Sequence, residues 1–298
     1  MFKRWGIYLQ ESFAPLVRFI WCFILCMAVY SILKNVYPGQ MKFSWLTTMM
    51  GTLNCFFFLL YVRVTDEFKD YKVDQKYFPQ RPVPSGKISL KDLTILKFTI
   101  IGCLLLLNLI YPGALLEFGI ALVAFYLMSK WFFLEKYLGG NRILALITHS
   151  PMYLLLFYFI IALYVNGNGI SAFSVQHVYL ALWVWTPLLA WELGRKTYAP
   201  ADEQEGYQTY SKMLGYKTST ILTIVIILLH GLMLFLLRHP WRISSITLII
   251  AAILVGLVSV SGLLFLKNPS PKNNHLKAAC ELYQLVALAL IWFNQVTI

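Results

Sequence analysis

The amino-acid sequence predicts an all-α, polytopic membrane protein built as a bundle of nine transmembrane helices. Three observations carry that expectation. Of the 298 residues, 59% are hydrophobic and 13% charged, against about a quarter charged in an ordinary soluble domain, and the mean hydropathy is +0.67. Apolar runs of roughly the 20 residues that a helix needs to cross a bilayer recur along the whole chain. The basic residues collect in alternate connections between those runs.

This composition excludes a soluble globular enzyme, a disordered chain and a secreted disulfide scaffold. Cys22, Cys26, Cys55 and Cys103 lie in apolar runs and Cys280 in the last of them, with no CxxC pair or metal-ligand spacing, so they read as small buried hydrophobes. The net charge of +12 comes with no motif that reads RNA or DNA. No nucleic-acid partner is expected, and the basic excess belongs to loops at one face of a membrane.

The candidate spans cover residues 14–33, 43–62, 93–111, 114–134, 143–165, 172–191, 218–237, 243–266 and 276–294. The first follows Lys3 and Arg4, lacks a small-residue cleavage site and carries Arg18, so it reads as a retained span and not a signal peptide. The third and fourth are parted by Tyr111-Pro112-Gly113. Ile143 to Trp191 holds no Asp, Glu, Lys or Arg and is too long for one crossing; Asn166-Gly167-Asn168-Gly169 divides it. With the N-terminus cytoplasmic, 19 basic residues fall on that side and only Lys34, Lys42, Arg238 and Arg242 on the other. The positive-inside rule then predicts a multi-pass protein of the cell membrane with its N-terminus and acidic loops in the cytoplasm. No room remains for a separate soluble domain, so residues 1–298 read as one membrane domain.

Two of the cytoplasmic connections hold most of the acids. The second span runs directly into Arg63-Val-Thr-Asp66-Glu67-Phe-Lys69-Asp70-Tyr-Lys72-Val-Asp74. On a helix, residues four apart share a face about 6 Å apart along the axis, which stacks Asp66, Asp70 and Asp74 as a ladder of carboxylates. Lys69 and Lys72 offset their repulsion by only a few tenths of a kcal/mol per pair. A divalent cation does so far better, and Mg²⁺ typically takes one or two carboxylates with phosphate oxygens and water. The pattern points to a Mg²⁺-diphosphate site at the mouth of the bundle.

Downstream stands Tyr77-Phe-Pro79-Gln-Arg81-Pro82-Val-Pro84-Ser85-Gly86-Lys87-Ile88-Ser89, opening into the third span. Here the chain resembles the UbiA superfamily of intramembrane prenyltransferases, whose first signature is Asn-Asp-x-x-Asp-x-x-x-Asp followed by Arg-Pro-x-x-Ser-Gly-x-Ile-Ser. Asp66 and Glu67 replace the Asn-Asp pair; Asp70, Asp74, Arg81, Pro82, Ser85, Gly86, Ile88 and Ser89 match. The resemblance spans nearly the whole chain and implies nine helices, Mg²⁺, an isoprenyl diphosphate donor and a hydrophobic acceptor in the bilayer. It makes Asp66, Asp70 and Asp74 metal ligands and Arg81 a diphosphate ligand. Tyr126-x-x-x-Lys130 looks like the family's Tyr/Lys pair beside the diphosphate, with Arg142 a weaker candidate for the same role; Lys130 also has a plain reading as a basic residue snorkelling to the headgroups.

The second signature departs from the pattern. Gly206-Tyr-Gln-Thr209 and Leu214-Gly215 are present, but counting back from Gly206 gives Asp202 at the second aspartate position and Tyr198 at the first. Upstream, Glu192-x-x-x-Lys196 has the helical spacing with the wrong second charge. Glu192 is the favoured metal ligand because it directly ends a span, with Asp202 as the alternative and Arg195 and Lys196 meeting phosphate; an ordinary i,i+4 helix pair is the plain reading.

Prenyl transfer needs a dry cavity to protect an allylic cation, which the 16% aromatic content can help line. His149 and His177 sit inside apolar spans and are candidate interior polar groups, each with a hydrogen-bonded structural reading. The predicted reaction is Mg²⁺-dependent transfer of an isoprenyl group from its diphosphate to a hydrophobic acceptor. A cyclase of the same type, acting without acceptor, and a non-catalytic polyprenyl-lipid binder share these residues as alternatives.

Overall fold

The computed structural model describes residues 1–294, so the last four residues of the expected domain, 295–298, lie outside the described residues. No strand occurs among them. The chain forms α1 (Phe2–Ser12), α2 (Pro15–Val36), α3 (Trp45–Lys69), α4 (Tyr71–Tyr77), α5 (Leu90–Ile110), α6 (Leu115–Ser129), α7 (Glu135–Leu138), α8 (Arg142–His149) and α9 (Met152–Asn166). It continues with α10 (Val175–Arg195), α11 (Tyr210–Leu214), α12 (Tyr216–Leu236), α13 (Ser245–Lys267) and α14 (Leu276–Phe293).

Among the described residues seven helical segments are long and apolar enough to cross a membrane, α8 and α9 counting together as Arg142–Asn166. The expectation of nine is met in place but not in kind. The fourth expected span is α6, only 15 residues, about 22 Å at 1.5 Å per residue and short of a full hydrocarbon core. The sixth is α10, which has the length but carries Gln176, His177, an internal Pro187, Glu192 and Arg195.

The helix ends follow the local chemistry. Ser44, Asn141, Ser174, Thr209 and Ser244 each accept a backbone N–H at a helix start, satisfying a donor that the first turn leaves open. Ser89 and Asp92 form a reciprocal capping box on α5. Helices α2, α3, α6, α9, α10, α12, α13 and α14 pack in succession, with α14 closing against α2, and α5 lies outside α3. Phe58, Phe125, Phe157 and Phe159 fill the interior of this ring.

The sequence reading did not foresee α1, an amphipathic helix laid across the motif face. Arg4 donates to both oxygens of Asp92 at 2.9 and 2.8 Å, and Trp5 Nε1 donates to the Asp92 carbonyl at 3.1 Å. The Tyr8 hydroxyl, fully buried, donates to the Arg63 carbonyl at 3.3 Å. Thus α1 is tied to the first motif by hydrogen bonds and not only by its apolar side.

Candidate active site

Both signatures meet at one end of the helix ring. Helix α3 stops at Lys69; Asp70 caps it and α4 begins at once. The break divides the expected three-rung ladder. Asp74 is buried and accepts Arg81 Nη1 at 2.7 and 2.8 Å on its two oxygens, so these two residues, a metal ligand and a phosphate ligand by resemblance, neutralise each other. Glu67 turns the other way, buried and ion-paired to Arg63, whose Nε donates to the Ser12 carbonyl at 3.1 Å. Asp66 and Asp70 remain. Asp66 is 37% exposed, and its one ion pair is a loose 3.7 Å contact with Lys69; Asp70 is half-buried.

Opposite them, the end of α10 supplies a second charged group. Glu192 Oε1 accepts Lys196 Nζ and the Tyr210 hydroxyl, both at 3.2 Å, and Oε2 accepts Arg195 Nε at 2.5 Å. Asp66 and Asp70 feel the charge of Lys196, and Arg142 acts on both Lys196 and Lys69. Burial pushes the Lys196 ammonium below the usual lysine range, and Glu192 opposes that shift. Arg142 Nε is buried with no hydrogen-bond partner among the described residues. The mouth therefore presents Asp66, with only the loose Lys69 contact, and Asp70, within electrostatic reach of Lys69, Arg142, Arg195 and Lys196.

The other predicted site residues stand elsewhere. Tyr126 is 48% exposed and Lys130 is exposed on the outer side of α6, with Lys97 as its charged neighbour. The inward lysine is Lys69, 9% exposed, donating to the Met128 carbonyl at 3.3 Å and lying 4.2 Å over the Trp131 ring. Asp202 is exposed and lines a pocket of about 410 Å³ with Tyr198, Gln204, Asn274, Lys277 and Arg195, the last shared with the mouth. Sequence reasoning overlooked Glu203, which accepts the Thr209 hydroxyl at 2.7 Å and the Ser211 hydroxyl and so folds the second loop on itself.

The signature residues Gly206 and Thr209 now have physical reasons. Gly206 has φ +77°, and a Cβ there would lie 2.2 Å from the Tyr77 hydroxyl, which donates to the Glu205 carbonyl at 3.0 Å. Only glycine permits both the conformation and the approach. Tyr207 packs against Tyr77 and Phe78, so the two signature loops are joined above the mouth.

Among the described residues no three His, Cys, Asp or Glu side chains converge as a metal set. The donor chemistry nevertheless suits Mg²⁺, which needs one or two carboxylates when phosphate and water complete the shell, and Asp66 and Asp70 are the acids left free of close ion pairs.

A ring of membrane-length helices with a mixed-charge mouth over an aromatic interior defines an intramembrane helix-bundle protein. The chain belongs to the UbiA prenyltransferase family, whose profile matches residues 19–282, and it is a prenyltransferase of that type. It is 24% identical over 237 residues to a digeranylgeranylglyceryl phosphate synthase of Sulfolobus acidocaldarius, covering 79% of this chain and 81% of the relative. A synthase of the same name from Methanobrevibacter smithii is 26% identical over 234 residues, 76% of this chain and 78% of that one. The apo structure of a UbiA homolog from Aeropyrum pernix K1 superposes with TM-score 0.63 at 12% identity, over 93% of this chain and 96% of that one. A structure of a digeranylgeranylglyceryl phosphate synthase gives 0.58 at 18% identity, over 96% and 100%. The structural likenesses establish the fold.

Proposed function

We propose that the protein transfers an isoprenyl group from an isoprenyl diphosphate to a hydrophobic acceptor within the membrane, with Mg²⁺ held at Asp66 and Asp70. The observation that carries this reading is the mouth itself: Asp66, with only a loose contact to Lys69, and Asp70 stand within electrostatic reach of Lys69, Arg142, Arg195 and Lys196 above an apolar, aromatic interior. A bound Mg²⁺ supplies charge neutralisation of the departing diphosphate. Arg142, with an unpartnered buried nitrogen, and Lys196 bind diphosphate oxygens; Lys69 orients the same group from the α3 side. The prenyl chain extends into the ring past Tyr153, Phe125 and Phe157, which exclude water from the allylic centre. The relatives' name describes glyceryl phosphate bearing two geranylgeranyl groups, which supports a C20 donor and a lipid acceptor here. The charge asymmetry supports a cytoplasmic mouth, reached by donor from the cytosol.

The test is incubation of purified protein and Mg²⁺ with labelled prenyl diphosphates of several lengths, with and without membrane lipid extract. Label should enter a new lipid only with extract, and Asp70→Asn should reduce turnover below about a tenth of wild type, since Asn keeps the shape and loses the charge Mg²⁺ requires. A cyclic hydrocarbon or alcohol formed without extract would make the protein a cyclase, and binding without diphosphate release a carrier.

A further inference from the structure

We infer that His149 is the general base of the transfer, its Nε2 taking the proton from a hydroxyl group of the acceptor lipid as that oxygen attacks the allylic carbon of the donor. The inference rests on the transfer reading above and adds the acceptor's reacting group and the residue that activates it.

The three span histidines differ in what surrounds their rings. His230 leaves Nε2 unpartnered, but it is stacked on Trp183 and bonded through Nδ1 to the Tyr283 hydroxyl, with no charged side chain beside it. His177 is engaged at both nitrogens, by the Tyr37 hydroxyl at 3.0 Å and the Ala172 carbonyl at 2.6 Å. His149 is engaged at one. Its Nδ1 lies 3.0 Å from the Thr148 hydroxyl, while Nε2 is buried with no partner among the described residues. A buried polar atom left unpaired costs about 1–3 kcal/mol, and such exceptions in a folded protein call for an explanation, a catalytic role among them.

The neighbours also fix which nitrogen carries the hydrogen. With the one Thr148 hydroxyl hydrogen directed to the Leu144 or the Ala145 carbonyl, at 2.8 and 3.2 Å, the Thr148 oxygen is left to accept from His149 Nδ1–H, and we assign that tautomer. Nε2 is then the unprotonated nitrogen, with its lone pair free. Thr148 is a positioning residue: it holds the tautomer that a base requires.

The ring is held edge-on by Trp131 at 5.0 Å and Phe132 at 5.4 Å between centroids. These belong to a turn in which Trp131, Phe132 and Phe133 have φ of 51°, 52° and 59°. Three successive left-handed residues that are not glycine cost roughly 1–2 kcal/mol each, and strain of this kind concentrates where function requires a fixed geometry. Trp131 also covers Lys69, so one turn positions both a diphosphate-side lysine and the histidine. Lys69, Lys196 and Glu192 lie within electrostatic reach of His149, and Tyr153, one turn further along the chain, is in reach of Asp66. His149 thus stands where the charged mouth gives way to the aromatic interior, the level at which the donor's reacting carbon must lie if its diphosphate is above and its chain below.

The step balances without another reactant. The acceptor O–H bond breaks toward Nε2, the oxygen's electron pair forms the new C–O bond, and the bond from the allylic carbon to diphosphate breaks with its pair leaving on diphosphate. The proton on Nε2 then passes to the released diphosphate.

The experiment uses the full-length protein with Mg²⁺, labelled geranylgeranyl diphosphate and a monoalkylglyceryl phosphate as the hydroxyl acceptor. His149→Gln and His149→Ala should lower kcat by about a hundredfold or more with donor KM and inorganic diphosphate affinity changed by less than about threefold. Added imidazole should restore His149→Ala at least about tenfold and leave wild type unchanged. Retention of more than about a third of wild-type kcat in His149→Gln, absence of imidazole rescue, or a parallel loss of diphosphate affinity would overturn the inference. If wild type transfers label to nothing in membrane lipid extract, the transfer reading falls and takes this one with it; if it transfers label to an acceptor in the extract but not to the hydroxyl lipid, or if His149→Gln is undiminished, only the role of His149 falls.

Discussion

Glu192→Gln separates two roles that the sequence leaves equivalent. As a metal ligand, Glu192 would show itself in the Mg²⁺ requirement. The structure instead surrounds it with Arg195 Nε at 2.5 Å, Lys196 Nζ at 3.2 Å and the Tyr210 hydroxyl at 3.2 Å, which makes it the anchor of two cations. Gln preserves the shape and removes the charge that both cations face. Breaking a buried pair from one side costs about 3–5 kcal/mol. The Glu192 side chain is 21% exposed, and water screens part of the loss, so about 2–3 kcal/mol is expected. In a chain of this size that lowers Tm by roughly 5 °C. Arg195 and Lys196, released from Glu192, should at the same time bind inorganic diphosphate more tightly in the absence of Mg²⁺. Thermal unfolding in detergent and a Mg²⁺ titration of turnover read the two effects separately. An unchanged Tm together with a raised Mg²⁺ requirement would refute the anchoring role and return Glu192 to the metal.

Three further outcomes follow from the same geometry. Lys69→Ala should raise donor KM about tenfold or more, equivalent to about 1.4 kcal/mol, whereas Lys130→Ala, on the outer side of α6, should stay within about twofold; the reverse order would favour the family's Tyr126/Lys130 pattern. Burial lowers the Lys196 pKa, so diphosphate affinity should fall as pH rises through that lowered value, earlier than for an ordinary lysine. Over the same window the unfolded chain binds more protons than the folded one, so Lys196 makes folding stability rise with pH, and Lys196→Arg should remove the alkaline loss of affinity. Impermeant thiol reagent applied from outside cells should modify Ser171→Cys but not Ser85→Cys; labelling of the latter would overturn the cytoplasmic placement of the mouth.

The membrane class and the helix positions were legible in the sequence, because each is set by properties summed along the chain. Twenty apolar residues must cross or be buried, Pro-Gly and Asn-Gly turns interrupt them, and the charge asymmetry needs no knowledge of which side chain meets which. The amphipathic α1 escaped notice because its docking depends on Asp92 and Arg63, far away in sequence. Pairing in three dimensions decided the rest. Asp66, Asp70 and Asp74 have equal spacing, yet a helix break at Asp70 and the placement of Arg81 neutralise Asp74 and leave the other two for the mouth. Lys69 and Lys130 were equally basic helix-end residues, and the phase of their helices turned one inward and the other out. His149 and His177 looked alike as polar groups in apolar runs; the partners brought to their ring nitrogens by packing satisfied one and left Nε2 of the other open. Hydropathy is additive along a chain and so can be read from it, whereas the availability of a charge or a lone pair depends on what tertiary packing places within about 3 Å of it.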